Sequence, residues 1–186
     1  FSPEFKSAII PTKIFSIIEK ISKDEGEVEI NVTDKEFFFK GYGYELSTSL
    51  IDGQFPSWKK VVPDGLDHTI TVSKDELEDA MKRTVIMAAK NGRIQMSFDA
   101  DKMVISSPEN EVGSSKEEIE AQYSGEPVDI ALNAMYFSDV LKVIDSDDIS
   151  IDFKFNEEKK VSSALIVRAA GKEKTSYTHI IMPMTF

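Results

Sequence analysis

The sequence predicts an α+β fold made of repeated β-α-β-β-β units, with each helix covering one face of an antiparallel sheet. Three observations point there. A short strand, a helix and an alternating strand follow one another three times along the chain. The three helix starts, at Pro11, Ser73 and Asn133, lie roughly 60 residues apart, a fixed period that marks an internal repeat. Within each helical stretch the apolar residues gather on one side only.

The first unit opens with a strand over Lys6–Pro11 (KSAIIP), followed by a helix over Thr12–Lys23 and a strand over Glu27–Val32 (EVEINV). The second has a strand at His68–Ser73 (HTITVS), a helix at Lys74–Lys90 and a strand at Arg93–Phe98 (RIQMSF). The third has Val128–Asn133 (VDIALN), Ala134–Asp145 and Ile149–Phe153 (ISIDF). Proline at a helix start, and Ser or Asn at an N-cap, suit those positions because they pre-set φ or accept from an orphan amide. Further strands complete each unit: Glu36–Lys40 and Tyr44–Leu50, Lys102–Ser106 and Glu118–Tyr123, Ala164–Arg168 and Ser176–Met182. Polar or Gly-containing turns such as Thr33-Asp34-Lys35 and Gly41-Tyr42-Gly43 separate most of them, as hairpins require.

The helix faces sort by polarity. Ile14, Ile17, Ile18 and Ile21 form an apolar stripe in the first helix, opposite Lys13, Ser16, Lys20 and Lys23. The second is expected to bury Leu77, Ala80, Met81, Thr84 and Ala88 and to expose Lys74, Glu78 and Lys82. The third is expected to bury Phe137, Val140, Leu141 and Ile144, with Ser138 and Lys142 outside. Lysines on outer helix faces are either a solvated surface or a charged surface for an anionic partner. Ile86 and Met87 lie off the apolar stripe, which suits a subunit contact or packing under the Asn91-Gly92 turn.

Composition excludes several functions. The 186 residues are 41% apolar and 30% charged, an ordinary globular balance. With no cysteine there is no disulfide, thiolate metal site or cysteine nucleophile, which is compatible with a reducing cytoplasm. No signal peptide or membrane-spanning apolar run is visible, so a cytoplasmic location without membrane contact is expected. The net charge of −11 repels nucleic acid unless the lysines are sorted onto one face. His68 and His179 are the only histidines and have no nucleophile or carboxylate at a catalytic spacing. Asp145-Ser146-Asp147-Asp148 lacks the glycine and distal glutamate of a calcium loop, and no phosphate-binding glycine loop is present. No catalytic residue, metal or cofactor is therefore expected.

Two stretches carry the functional reading. Gly53-Gln54-Phe55-Pro56-Ser57-Trp58-Lys59-Lys60-Val61-Val62-Pro63 is punctuated as a linker, which divides the chain into 1–65 and 66–186. The tail Tyr177–Phe186 begins as a strand, and Pro183 should end its pairing at or before Met182. Met184 and Phe186 then either tuck into the core or line a soft surface groove for a peptide.

The linker resembles the segment leading from the second to the third domain of the bacterial sliding clamp, the beta subunit of the replicative DNA polymerase. The tail Ile180-Ile181-Met182-Pro183-Met184 is similar to that family's C-terminal motif. Tyr123-Ser124-Gly125-Glu126, Asn133-Ala134-Met135-Tyr136 and Asp139-Val140-Leu141 are similar to its third-domain core, and the resemblance runs in one order from Ile9 to Phe186. It implies a DNA-clamp fold: the second half of a middle domain with its linker over 1–65, then a C-terminal domain over 66–186. It also implies a processivity factor in DNA replication, a head-to-tail homodimeric ring around duplex DNA bound without sequence preference. Such a protein is a non-catalytic accessory subunit of a DNA-directed DNA polymerase.

Residue by residue, the resemblance puts Lys13, Lys20, Lys23, Lys82 and Lys142 in the DNA channel, and Ile86 and Met87 at the ring interface. Partners are the replicative polymerase, the clamp loader, and repair or translesion polymerases, which insert short peptide motifs. Their pocket would be formed by Pro56, Lys60, Val61, Asn133, Tyr136, Ser163, Ile180, Ile181, Met182, Pro183 and Met184. Thr185 and Phe186 depart from the family's usual basic residue and leucine. Three of the family's six repeats are present, and the chain opens on Phe1, so an upstream segment is expected to be removed or unseen. The competing reading is a peptide-binding interaction module that shares the repeat and needs no DNA.

Overall fold

The structure, a computed structural model, describes residues 7–23, 25–88, 92–109, 111, 113–156, 161–171 and 178–185. The chain divides into two compact units, Phe1–Ser57 and Trp58–Phe186, within the linker stretch.

In the first unit helix α1 (Thr12–Ile21) precedes a three-stranded antiparallel sheet in the order β1 (Val28–Val32), β2 (Glu36–Gly41), β3 (Tyr44–Ser49). The β2–β3 hairpin closes in two residues, Tyr42 at φ 53° and Gly43 at φ 81°, the doubly left-handed turn whose twist matches its strands. Phe37 and Phe39 alternate with exposed Phe38 and pack with Ile14 in a small core. The apolar stripe of α1 is only partly used: Ile14 is buried, Ile18 and Ile21 sit at the core's margin, and Ile17 is exposed. The helix also stops two residues before the expected Lys23, where the Ser22 amide donates to the Ile18 carbonyl.

The second unit holds two repeats that exchange strands. The first is β4 (His68–Ser73), α2 (Lys74–Met87), β5 (Arg93–Asp99), β6 (Lys102–Ser106) and β7 (Lys116–Gln122). The second is β8 (Val128–Asn133), α3 (Ala134–Val143), β9 (Asp148–Phe153), a small hairpin β10 (Phe155–Asn156) with β11 (Val161–Ser162), β12 (Leu165–Ala169) and β13 (His179–Ile181). Strand β4 pairs with β9 of the second repeat, and β8 pairs with β5 of the first. The eight strands run β13-β12-β9-β4-β7-β6-β5-β8. Neither repeat completes its sheet without the other.

That exchange explains one correction. The expected strand Lys6–Pro11 is not formed at residues 7–11; Lys6 lies outside the described residues. Its counterparts β4 and β8 each pair with the other repeat of their unit, and the first unit has only one repeat. Among the described residues, a single backbone bond, from the Ile51 amide to the Ile9 carbonyl, ties residues 7–11 to the sheet end. The hairpin β10–β11 is a further difference, since neither strand was expected. Helix α3 ends at Val143, two residues early, with the Ile144 amide on the Val140 carbonyl. Helix α2 is assigned to Met87; the expected end, Ala89–Lys90, and Asn91 lie outside the described residues.

One core fills the second unit. Leu77, Ala80 and Met81 of α2 and Phe137, Val140 and Leu141 of α3 meet Ile70, Ile94, Met96, Phe98, Ile105, Ile151 and Phe153 from the strands. The helix starts are capped as their residues demand: Ser73 Oγ accepts from the Glu76 amide at 3.5 Å and Asn133 Oδ1 from the Met135 amide at 2.9 Å.

His68 has a structural setting. Tyr123 donates its hydroxyl to the Glu126 carbonyl at 2.6 Å, so the 2.6 Å contact with His68 Nδ1 needs the ring to donate to that oxygen. The ring stacks on Phe153 at 4.9 Å, with Nε2 3.6 Å from Asp67 Oδ1. Asp152, only 4% exposed, accepts from Thr69 Oγ1 at 2.8 Å and Ser150 Oγ at 3.1 Å and pairs with Arg168. A carboxylate this deep needs that full set of donors.

Candidate functional site

The tail is built by alternation and then by a proline. In β13, Ile181 faces Leu165 and Ile180 faces Ile166 across the ladder with β12. Ile181 and Leu165 belong to the core, so Ile180 and Ile166 lie on the opposite face of the sheet. The ladder stops before Pro183, which has no amide to offer. One residue later the Met184 amide donates to the Ala131 carbonyl of β8 at 2.7 Å. Strands β13 and β8 are the two edges of the eight-stranded sheet, so the tail joins one edge to the other. On the other side of the unit β4 and β7 meet, with Thr71 opposite Gln122. Thr71 lies two residues before the Ser73 cap, and Ala131 two before the Asn133 cap. The contact made by Met184 is thus the counterpart of the β4–β7 seam.

Several expected site residues gather around this closure. Met184 is anchored two residues from Asn133, which starts α3 and leads to Tyr136. Tyr136 is 67% exposed and Met182 61%, large apolar side chains left in solvent at the tail and the helix start. Extending the β12–β13 register brings Ser163 level with Pro183. Ser163 is itself fixed, its amide on the Lys154 carbonyl at 2.7 Å and its Oγ accepting from the Lys154 amide at 3.0 Å. Pro183 and Met184 are half-buried, Ile181 buried, and Phe186 lies outside the described residues.

Other expected residues stand apart. Lys60 ends a single 3-10 turn, Trp58–Lys60, and Val61 follows, its amide on the Trp58 carbonyl at 3.0 Å. Both are exposed, and among the described residues no hydrogen bond joins either to the tail. Pro56 belongs to the first unit and is exposed there. Two residues of the closure were not anticipated from sequence: Ile166, the partner of Ile180, and Met135, exposed beside Tyr136. The run Asn133-Ala134-Met135-Tyr136 carried a signal for Met135, an apolar residue in the first turn of a capped helix. Ile166 had none, because register is not readable from one strand.

The charged helix faces differ from one another. Lys13, Lys20 and Lys23 are exposed on or just beyond α1. On α2, Lys82 pairs with Glu78 at 3.0 Å and Asp79 at 3.3 Å, and Arg83 pairs with Glu117 of β7 at 2.8 Å. Hydrogen bonds to Glu78 and Asp79 hold the Lys82 ammonium above the usual lysine value. On α3, Lys142 pairs with Asp139 at 2.8 Å. Ile86 is 77% exposed near the end of α2, and Met87 beside it is half-buried. Among the described residues no cluster of His, Asp or Glu is arranged to hold a metal ion. No helix there is long and apolar enough to cross a membrane.

Comparison with known proteins places this architecture. The family model described as "DNA polymerase III beta subunit, C-terminal domain" matches residues 59–185, and that of the central domain of the same subunit matches 2–57. The chain belongs to the DNA polymerase III beta subunit family. A relative named beta sliding clamp, from Treponema pallidum, is 36% identical over 98% of this chain and 49% of its own length. The chain spans about half the length of the curated relatives it matches. Among solved structures, the DNA polymerase III subunit beta of Pseudomonas aeruginosa superposes with a TM-score of 0.87 at 24% identity, over all of this chain and 50% of that one. A sliding clamp from the same organism, solved bound to griselimycin, gives a TM-score of 0.83 at 24% identity over 96% and 47%. The α+β clamp fold is common to this beta-subunit chain and these neighbours.

Proposed function

We propose that this chain is the partner-binding part of a DNA sliding clamp, a processivity factor that encircles duplex DNA and tethers polymerases by short peptide motifs. The observation that carries the reading is the match of two successive beta-subunit domains, in order, to 2–57 and 59–185. In the parent protein, two copies close head to tail into a ring in which Ile86 and Met87 meet the neighbouring subunit. The role is that of an accessory subunit without catalysis of its own, working in the cytoplasm. Its tail closure leaves the large apolar side chains of Met182 and Tyr136 in solvent, which suits a binding protein.

The peptide site in the second unit centres on Met182, Pro183 and Met184, with Ile180, Ile181, Asn133, Tyr136 and Ser163 around them; Lys60 and Val61 come from the linker side. A pocket with apolar anchors and a few polar rim groups takes a short extended segment with large apolar side chains. That a related clamp is solved with griselimycin bound supports a ligand-accepting surface on this fold.

The test is topological. A ring-forming parent protein loaded on nicked circular DNA stays bound through a gel-filtration run and is lost once the circle is cut. Equal loss from circle and linear DNA would overturn the ring. The second reading, an interaction module without DNA, draws on the net charge of −11 and on the self-paired Lys82 and Lys142. It predicts no salt-sensitive retention on either DNA and unchanged peptide binding.

A further inference from the structure

We propose that α1, rather than α2 or α3, supplies the DNA-facing charge of this chain; the inference rests on the sliding-clamp reading. Lys13, Ser16 and Lys20 fall at spacings of three and four residues, which sets them on one stripe of α1, and Lys23 lies two residues beyond its end. That stripe holds no acid, and Glu19 sits to its side. Among the described residues, no ion pair engages Lys13, Lys20 or Lys23.

The other two helices are arranged differently. Every basic group of α2 beyond its first residue is already matched: Lys82 by Glu78 and Asp79, Arg83 by Glu117. Within Lys74–Met87 the acids Asp75, Glu76, Glu78 and Asp79 outnumber Lys74, Lys82 and Arg83. Helix α3 offers Lys142 with Asp139 one turn before it. Exposed pairs of this kind are individually weak, so a phosphate could displace the carboxylate from the lysine. The carboxylate would still lie within a few ångströms, well inside the roughly 10 Å Debye length at 0.1 M salt. A phosphate approaching Lys142 therefore meets close to zero net charge, and one approaching Lys82 meets a net negative surface. One approaching α1 meets Lys13, Lys20 and Lys23 against the single acid Glu19, a net positive surface.

The consequence is a division of labour. The first unit binds backbone phosphates through α1, whereas α2 and α3 of the second unit add little to that binding. Binding to backbone phosphates depends on salt by about 0.9 in log K per log salt for each phosphate neutralised. Lysines without compensation count fully toward that slope, and self-paired ones count little.

The experiment is a ¹H–¹⁵N NMR titration of this 186-residue chain with a short mixed-sequence DNA duplex at about 50 mM salt, where backbone-directed binding is strong. Expected are shifts confined to the α1 amides, weakened in the double variant Lys13→Ala, Lys20→Ala, whose salt slope is reduced by about 0.9 per lysine. The double variant Glu78→Gln, Asp79→Asn should make the α2 amides shift as well. The dispersion of the same spectra reports whether each variant is folded. Shifts in α2 and α3 as large as those in α1 overturn the division while leaving DNA binding intact. An α2 that stays silent in the Glu78→Gln, Asp79→Asn variant overturns self-pairing as its cause. No shift anywhere, at any salt, overturns both this inference and the DNA reading beneath it.

Discussion

The backbone amide of Met184 donates to the carbonyl of Ala131 at 2.7 Å, and through that bond the last residues of the chain tie strand β13 to strand β8. The sheet of the second unit is thereby joined at both seams, once by β4 with β7 and once by the tail. The closure accounts for what the tail residues do. Ile181 is committed to the core and Met184 to the seam, while Met182 between them is left in solvent.

Removing the donor tests the seam. Met184→Pro abolishes the amide and should lower the unfolding free energy by about 1 kcal/mol, the net worth of one hydrogen bond. Hydrogen exchange should accelerate in β13 and at the β8 edge and stay unchanged in β5 and β6. Urea denaturation and exchange mass spectrometry read both. Uniform acceleration across the sheet would show that the bond is not a local latch.

Thr84 presents the opposite case. Its side chain is fully buried on α2, and among the described residues its Oγ1 has no hydrogen-bond partner. A buried hydroxyl without a partner loses its hydration for nothing, so the near-isosteric Thr84→Val should stabilise the protein by about 1 kcal/mol. A thermal melt decides it; a drop in melting temperature would mean that the hydroxyl is satisfied in solution.

His179 should give the protein an acid-side instability. Burial lowers its folded value below the ordinary 6.5. Between the two values the unfolded chain binds more protons than the folded one. Its contribution to stability is therefore whole above pH 6.5 and is lost as pH falls below it, at up to about 1.4 kcal/mol per pH unit. Comparing urea midpoints of the wild type and His179→Val at pH 7.5 and 5.5 isolates the effect. The wild type should lose more stability on acidification than the variant, and parallel losses would assign the sensitivity to other groups.

Much of this was legible because it is local. Ser73 and Asn133 announce helix starts through side chains that accept from amides two or three residues on, and both do so. Phe137, Val140, Leu141 and Ile144 share one helix face and are all buried. What was not legible depends on distant partners. The residues Ala8-Ile9-Ile10 look like a strand, yet a strand exists only where another repeat offers a ladder, and the first unit offers none. The hairpin Phe155–Asn156 with Val161–Ser162 is too short to show a period. At the site, the residue types of the tail were readable but the Ala131 contact was not, since it joins positions 53 residues apart. The pairing of Lys82 with Glu78 is a different kind of omission. Its i, i+4 spacing is visible in the sequence, where both residues read simply as exposed.

The most direct test of the account is calorimetric titration of this chain with a short synthetic peptide bearing two large apolar anchors, beside the variant Met182→Ala. The wild type should bind, and the variant should bind at least tenfold more weakly, about 1.4 kcal/mol, while keeping the same melting temperature because Met182 is exposed. Equal affinity of the two proteins would contradict the assignment of the tail closure as the partner site.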